Sequence, residues 1–565
     1  MQLQRLWRAN AWLILTLCFT CFLATTTAAT LTNKSQGGTT ASSNLYIVLV
    51  SIPVLDKVLP LKHLAEALLS RGVRVGFALP ENCRQLVSDL NGLEFISLGQ
   101  IVGKGYRTAL TPMSFEDLGV YDSHLNTLHY YASFQRPMYG ALLKHFEADR
   151  PNLVIVDRYT FAGYDVCHRL LLPYVVNDPQ MLYDIDSPPA YIPAPFSDGS
   201  IHTTSVLERC VNSYFRLRFR LGIVSVYQEI NAVRHDHGLE PIASKHQMHG
   251  HALVLVNSVF GLDEARPLAP QFKMVGLLQS PTLQRERAEA TSSAARHRRF
   301  PAVLLSWLEA PEHVKKRLVY INFQSIGPLS HQLIVSTINS FEYLNIRILW
   351  KITSKQRATF DIHIRRKDPI MFIGDEVEDA TLLALAPEIA LLITAGDYLS
   401  VLEALVAGVP IIGIPQSAEQ SETLNVVMRA GAGLRLDVET FTESTLSRLV
   451  DWMVNRESEI YKTNAQQLGD LIKTGGGVER AVDEVLTVAE FGARHLLPMH
   501  NLQPLYKTYL VDVYLIYGII LCGAAIILRT FASIVLSKYQ PLTQPDSSEA
   551  AESQDDANTE DMAVE

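Results

Sequence analysis

The stretch LLITAGDYLSVLEALVAGVPIIGIPQSAEQSETLN, residues 391–425, constrains the fold more than any other part of the chain. An apolar strand over residues 389–394 leads into a turn at Gly396. A helix starts near Ser400, and a second apolar strand over 409–414 ends at Pro415. Two apolar strands joined through a helix make a parallel βαβ unit, because parallel pairs need a crossover and both faces of their sheet are covered. Ligands of such sheets bind beyond the carboxyl ends of the strands, where free N–H groups at a helix N-terminus favour phosphate. Ser400 and Glu403 on the first turn, and Glu419 with Gln420 after the next strand, are placed to face one ligand there. Each also has a plain structural reading: Ser400 as a helix cap, Glu403 as a first-turn acid favoured by the helix dipole, and Glu419 with Gln420 as a solvated loop.

The two ends point to a compartment. Arg5 and Arg8 precede an apolar run over 11–24 and small residues over 25–29, the make-up of a secretory signal peptide spanning 1–29. Residues 513–528 carry no charge, and the apolar stretch reaches residue 536 if Arg529 snorkels, so one transmembrane helix is expected over 511–536. Asp512 precedes the uncharged run 513–528 while Arg529 and Lys538 follow it, which places the C-terminus in the cytosol. The expectation is a single-pass type I membrane protein of the endoplasmic reticulum or secretory pathway, with the bulk of the chain luminal. Asn33-Lys34-Ser35 is a glycosylation sequon in the polar N-terminal segment.

Charge and cysteines agree with that division. The net charge is −9, and the eight acids after residue 540 meet no Lys or Arg. The segment 537–565 is expected to be an acidic, disordered cytosolic tail, and the nearly neutral body excludes a nucleic-acid partner. Of six cysteines only Cys83, Cys167 and Cys210 fall in the body, too few for a disulfide framework.

The body is too long for one ordinary core and suits two domains. The first opens with a strand over 45–50, a helix over 59–71 stopped by Gly72, and a strand over 73–78. Further buried strands end at Asp157 and before Asn257. QRERAEATSSAARHRR lies in a polar stretch read as a linker or exposed loop over 279–300, and a second α/β block starts at Val319.

Several separated motifs carry a family resemblance. PLKHLAEALLSRGVRV, PPAYIPAPFSD followed by LERCVNSYFRL, LVLVNSVFGLDEARPLAPQFKMVGLL, VYINFQSIGPLS, the opening stretch and GARHLLPMHNLQPLYKTYLVDVYLIYGIIL occur in the order of that family. The chain resembles a membrane-anchored UDP-glucuronosyltransferase-like member of the UDP-glycosyltransferase family, glycosyltransferase family one. The resemblance implies an α/β GT-B fold of two facing Rossmann-like domains. It places the acceptor domain at 44–278, the UDP-sugar domain at 301–490, and a juxtamembrane segment at 491–510 before the transmembrane helix. It implies inverting transfer of a sugar from a UDP-sugar donor to a hydroxyl of a small apolar or lipid acceptor, with no metal expected. A homo- or hetero-oligomer stays open.

Carried over position by position, the resemblance is incomplete. The family's catalytic His falls at Lys57, because Pro60, Leu64-Ala65 and Arg71-Gly72 keep the surrounding register. Its carboxylate partner matches Asp157. Lys57 is a poor base unless its pKa is depressed, and a Lys57–Asp157 ion pair is the favoured reading; His63, about 240° further round the helix, is a poor substitute. The His-Gly-Gly triplet that holds the diphosphate aligns with Ala395, Gly396 and Asp397, which brings an acid toward the phosphates. The uracil-stacking Trp should fall within 376–380, where only acids and small residues stand. Ser325, Ser400, Glu403 and the Glu419-Gln420 pair keep donor-site identities, and Asn425 is displaced from its usual place. Two readings remain at this level: an active transferase with an altered base, or a degenerate GT-B protein acting as a binding or regulatory subunit.

Overall fold

The computed structural model describes residues 45–101, 120–182, 191–194, 205–288, 293–311, 315–323, 331–341, 343–352, 370–374, 377–437, 440–498 and 503–538. The expected signal peptide, the sequon and the acidic tail beyond Lys538 lie outside them.

The first sheet holds β1 (Tyr46–Val50), β2 (Arg74–Leu79), β3 (Glu94–Ser97), β4 (Leu153–Asp157), β5 (Tyr174–Asp178), β6 (Leu253–Val256) and β7 (Phe272–Met274). The second holds β8 (Arg317–Asn322), β9 (Ile346–Lys351), β10 (Ile370–Ile373), β11 (Ile389–Thr394), β12 (Ile411–Gly413) and β13 (Gly433–Arg435). The orders are β3-β2-β1-β4-β5-β6-β7 and β10-β9-β8-β11-β12-β13. Every pair is parallel. The order reverses between β1 and β4 and again between β8 and β11, which opens a crevice at the carboxyl end of each sheet. Helices cover both faces, so strands such as β1 and β4 are buried at every residue.

The helices that shape the cleft are α1 (Leu55–Ser70), α2 (Val120–Ala132), α3 (Phe161–Leu170), α4 (Val206–Asp236), α5 (Pro281–Ala288), α6 (Ser293–Arg299), α7 (Asp379–Leu385), α8 (Tyr398–Ala407), α9 (Ala418–Arg429), α10 (Gly477–Phe491) and α11 (Val511–Lys538). α1 starts four residues earlier than its sequence pattern suggests and stops at Gly72, whose φ of +78° an L side chain rarely adopts. The stretch read as a linker or exposed loop is mostly helical. Its Ala, Arg, Glu and Gln are good helix formers, and Leu283 on α5 and Ala295 on α6 anchor it in the core of the second sheet. Near the end of the body, α10 returns to pack on α1, where Arg71 meets Glu479 at 2.8 Å and Asp483 at 3.3 Å.

α11 is 28 residues long with mean hydropathy 2.4 and none of its apolar window buried, which is long and apolar enough to cross a membrane.

Candidate functional site

The strand ends of the two sheets meet. Tyr398 at the start of α8 donates its hydroxyl to the Asn257 carbonyl after β6, at 3.1 Å. His124 on α2 bonds Glu419 on α9 at 3.0 Å, and Lys62 on α1 reaches Glu378 before α7 at 2.9 Å. These three contacts close the crevice around the residues that the sequence singled out.

Asp157 ends β4 and is completely buried. The chain turns sharply after it, so the Tyr159 N–H and the Thr160 hydroxyl, both at 3.1 Å, donate to its Oδ2. Its Oδ1 has no hydrogen-bond partner. Burial pushes the Asp157 carboxyl up to about 7, although Lys57 and the two donors pull the other way.

Lys57 sits on the first turn of α1, 1 % exposed. Its ammonium does not pair directly with Asp157. It bonds the neighbouring Asp56 at 2.9 Å and lies 5.4 Å from the centre of the Tyr159 ring. The expected pairing fails because Asp56 is one residue away on a half-exposed side chain, while one Asp157 oxygen is already taken by the turn. Burial alone would lower the Lys57 pKa. Asp56, with Glu419 and Asp157 further off, more than offsets that and raises it, so the side chain is a fixed ammonium and no base. His63 points elsewhere: its Nδ1–H donates to the Leu278 carbonyl at 2.8 Å, and burial lowers its pKa.

On the donor side, Gly396 turns the chain into α8 with φ +99°. A Cβ there would stand 2.7 Å from the Leu424 side chain, so this one glycine of the triplet position is sterically required. Asp397 does not aim its charge freely at the helix mouth. Its Oδ1 accepts from Gln420 Nε2 at 3.0 Å, and Gln420 Oε1 accepts from the Gln416 N–H at 2.7 Å. Gln420 and Glu419 belong to the first turn of α9, capped by Ser417, rather than to a solvated loop. Burial works to raise the Glu419 pKa, but the His124 bond and the charges of Lys57 and Arg158 outweigh it and hold the carboxylate low.

Ser400 is part-buried on the first turn of α8, and Glu403 one turn on is buried. Burial, with Asp379 close by, drives the Glu403 carboxyl well above its usual range. The acids that replace the expected aromatic platform are neutralised from below. Asp379 accepts from Tyr320, Asn322 and, at 2.7 Å, the buried Lys351 ammonium, while Glu378 is held low mainly by Lys62. Asn425 accepts from Arg435 at 3.0 Å. Ser325 and the loop residues 375–376 lie outside the described residues.

The cleft therefore gathers Lys57 and Asp157 from one domain with Glu419 and Gln420 from the other, while Gly396, Ser400 and Glu403 line up along α8 and its entry turn. Sequence reasoning missed His124, Lys62 and Lys351. His124 lies in a helix whose apolar periodicity gives no cue to a charged partner almost 300 residues away.

Comparison with known proteins supplies the class. Solved structures share the fold: a kitacinnamycin glycosyltransferase at TM-score 0.56 and 17% identity, covering 80% of this chain and 99% of that one, and the glycosyltransferase VinC with dTDP at 0.52 and 15%, covering 79% and 100%. Two parallel sheets joined at their strand ends, with these neighbours, define a GT-B glycosyltransferase fold. The model of the family described as UDP-glucoronosyl and UDP-glucosyl transferase matches residues 339–540. Human UDP-glucuronosyltransferase 3A1 is 24% identical over 378 residues, which are 64% of this chain and 67% of that protein. Human 2-hydroxyacylsphingosine 1-beta-galactosyltransferase is 23% identical over 399 residues, 68% of each. Over these spans the chain is similar to proteins named as UDP-glycosyltransferases.

Proposed function

We propose that this protein transfers a sugar from a UDP-sugar, with inversion at the anomeric carbon, to a hydroxyl of a small apolar or lipid acceptor, and that Asp157 receives the acceptor's proton in place of a histidine. The observation that carries the reading is the unpartnered Oδ1 of Asp157, buried at a strand end with a pKa pushed up to about 7. A carboxylate of that basicity is matched to proton transfer near neutral pH. The acceptor oxygen forms its bond to the anomeric carbon as its proton passes to Asp157. The bond from that carbon to the diphosphate oxygen breaks, and its electron pair leaves with UDP.

Lys57, fixed as an ammonium, steadies the Asp157 carboxylate before the proton arrives. The N-terminus of α8, with Gly396 and Ser400, receives the diphosphate, and Ser325 is assigned to the same donor site. Glu403 serves the ribose, and Glu419 with Gln420 the sugar hydroxyls. α11 ties the body to a bilayer, on the luminal side of the secretory pathway by the charge distribution around it. A relative named for 2-hydroxyacylsphingosine supports a lipid-derived acceptor.

Calorimetric titration of the full-length protein in detergent, with UDP and then a panel of UDP-sugars, tests the reading. Saturable UDP binding with one preferred sugar is expected. Absence of UDP binding by a folded sample would overturn it.

A further inference from the structure

The helix α4 is apolar on two opposite sides. One side faces the protein, with Phe219, Val226 and Ile230 buried in it. On the other, Leu207, Val211, Tyr214, Leu217, Leu221 and Val224 recur at steps of three and four residues, each between 45 % and 75 % exposed. At about 100° per residue they fall within an arc of roughly 140°, whose middle lies about 150° from the buried side.

The first half of the helix is nonetheless fixed to the body. Asn212 Nδ2 donates to the Ile192 carbonyl at 3.3 Å, the Arg216 guanidinium donates to the same carbonyl, and Asn212 Oδ1 accepts from the Ala194 N–H. Both side chains leave the protein side of the helix, so the apolar row faces away. The outward side of a helix on a water-facing surface is polar, and single exposed apolar residues are ordinary. Six in one row mark a surface that something covers.

Charge and tethering identify the cover. Between residues 207 and 224 the chain carries Arg209, Arg216, Arg218 and Arg220 against one acid, Glu208, which is spent on capping the helix at Ser205. Arg218 falls within the apolar arc, and Arg209 and Arg220 lie beside its edge. A second copy laid along the row would bring these like charges together, which opposes pairing. A lipid surface fits both features: apolar side chains enter the acyl boundary, a tyrosine suits the interface, and arginines reach back to headgroup phosphates. α11 is long and apolar enough to hold the same chain in a bilayer.

We propose that α4 lies on the surface of the bilayer that α11 spans, with the row from Leu207 to Val224 seated in the headgroup boundary. This rests on the reading of α11 as a membrane anchor. On the protein side of α4 the Phe219 ring stacks on His124, centroids 5.8 Å apart, and His124 bonds Glu419, so docking sets the cleft beside the lipid.

Cys210, exposed on the row's side of α4, gives the test its handle, because Cys83 and Cys167 are buried. The full-length Cys522→Ser protein, labelled at Cys210 with a fluorophore, is reconstituted into phosphatidylcholine–phosphatidylglycerol vesicles, and signal remaining in a Cys210→Ser control is subtracted. Doxyl groups placed near the headgroup end of the lipid chains are expected to quench the label at least about twofold. Leu217→Glu with Leu221→Glu, exposed positions that leave the core intact, should abolish that quenching. Equal emission with and without doxyl lipid overturns the proposal, and so does quenching that survives the double variant. Shielding from aqueous iodide without lipid quenching also overturns it, since a second copy would then cover the row. If the double variant does not fold, the doxyl comparison decides alone. Release of the protein from the vesicles by alkaline carbonate sinks the anchor reading, whereas absence of quenching in protein that resists release sinks the docking of α4 only.

Discussion

At Asp157 the site's chemistry and its cost to the fold are one effect. Its carboxyl sits at about 7 in the folded protein against 3.8 as a free side chain, with burial as the main cause. For activity, the proton-accepting form appears only as pH rises through that value. kcat/KM should climb with an apparent pKa near 7, and Asp157→Asn should cut it by at least about a hundredfold while the affinity for UDP stays within twofold. A variant that turns over normally would remove Asp157 from the role. For stability the sign is the reverse. The folded state holds this proton more tightly than the unfolded state, so the contribution is present in full below about pH 4 and is lost as pH rises through 7. Asp157→Asn should thus gain on the wild type in thermal unfolding between pH 4 and pH 8, a readout independent of turnover. Lys57→His at the neighbouring position should leave kcat unchanged or raise it, since it exchanges a fixed ammonium for a group able to titrate near neutrality. A large loss would mean that the ammonium itself is required.

Elements were legible in the sequence where their periodicity is strong and obscure where partners are distant. The βαβ unit around Gly396, the strand ending at Asp157 and the helix Val511–Lys538 stand close to where their residue patterns put them. The α5 and α6 stretch was read as a linker or exposed loop because its composition is polar, yet two small apolar anchors suffice to dock it as helix. The cleft was half legible: several residues that the sequence singled out do stand together, but the bonds that Asp56, His124 and Lys351 make there gave no signal, since each depends on which strand ends face one another. Gly396 was marked only as a survivor of a motif, and its geometry gives it a firmer role. Gly396→Ala places a methyl at φ +99° against Leu424, which should cost about 1–3 kcal/mol in unfolding free energy. The companion variant Gly396→Ala with Leu424→Ala should recover the part owed to the clash and leave the part owed to backbone strain. Recovery in full would show that φ alone costs little at this turn.

The contacts that close the molecule involve residues proposed for the ligand sites, so the proposed function couples binding to domain approach. Lys62 is buried on α1 yet spends its charge on Glu378 of the other domain and on Asp89 at 3.0 Å, while His124 bonds a residue assigned to the sugar. A ligand that fits the closed cleft pays less to bind if these contacts already hold the domains together. Glu378 remains nearly half exposed, so water screens the pair and its contribution is modest. Lys62→Met should therefore weaken UDP-sugar binding by a few-fold, under tenfold, and increase the radius of gyration of the unliganded protein in solution scattering. The ligand should return the variant to the wild-type radius, because it supplies the differential contacts that the lysine no longer does. Unchanged scattering with weakened binding would instead locate the effect of Lys62 in the local charge of the 377–379 segment, and closure would then rest on the other contacts between the domains, among them His124–Glu419, Tyr398–Asn257 and Arg71–Glu479.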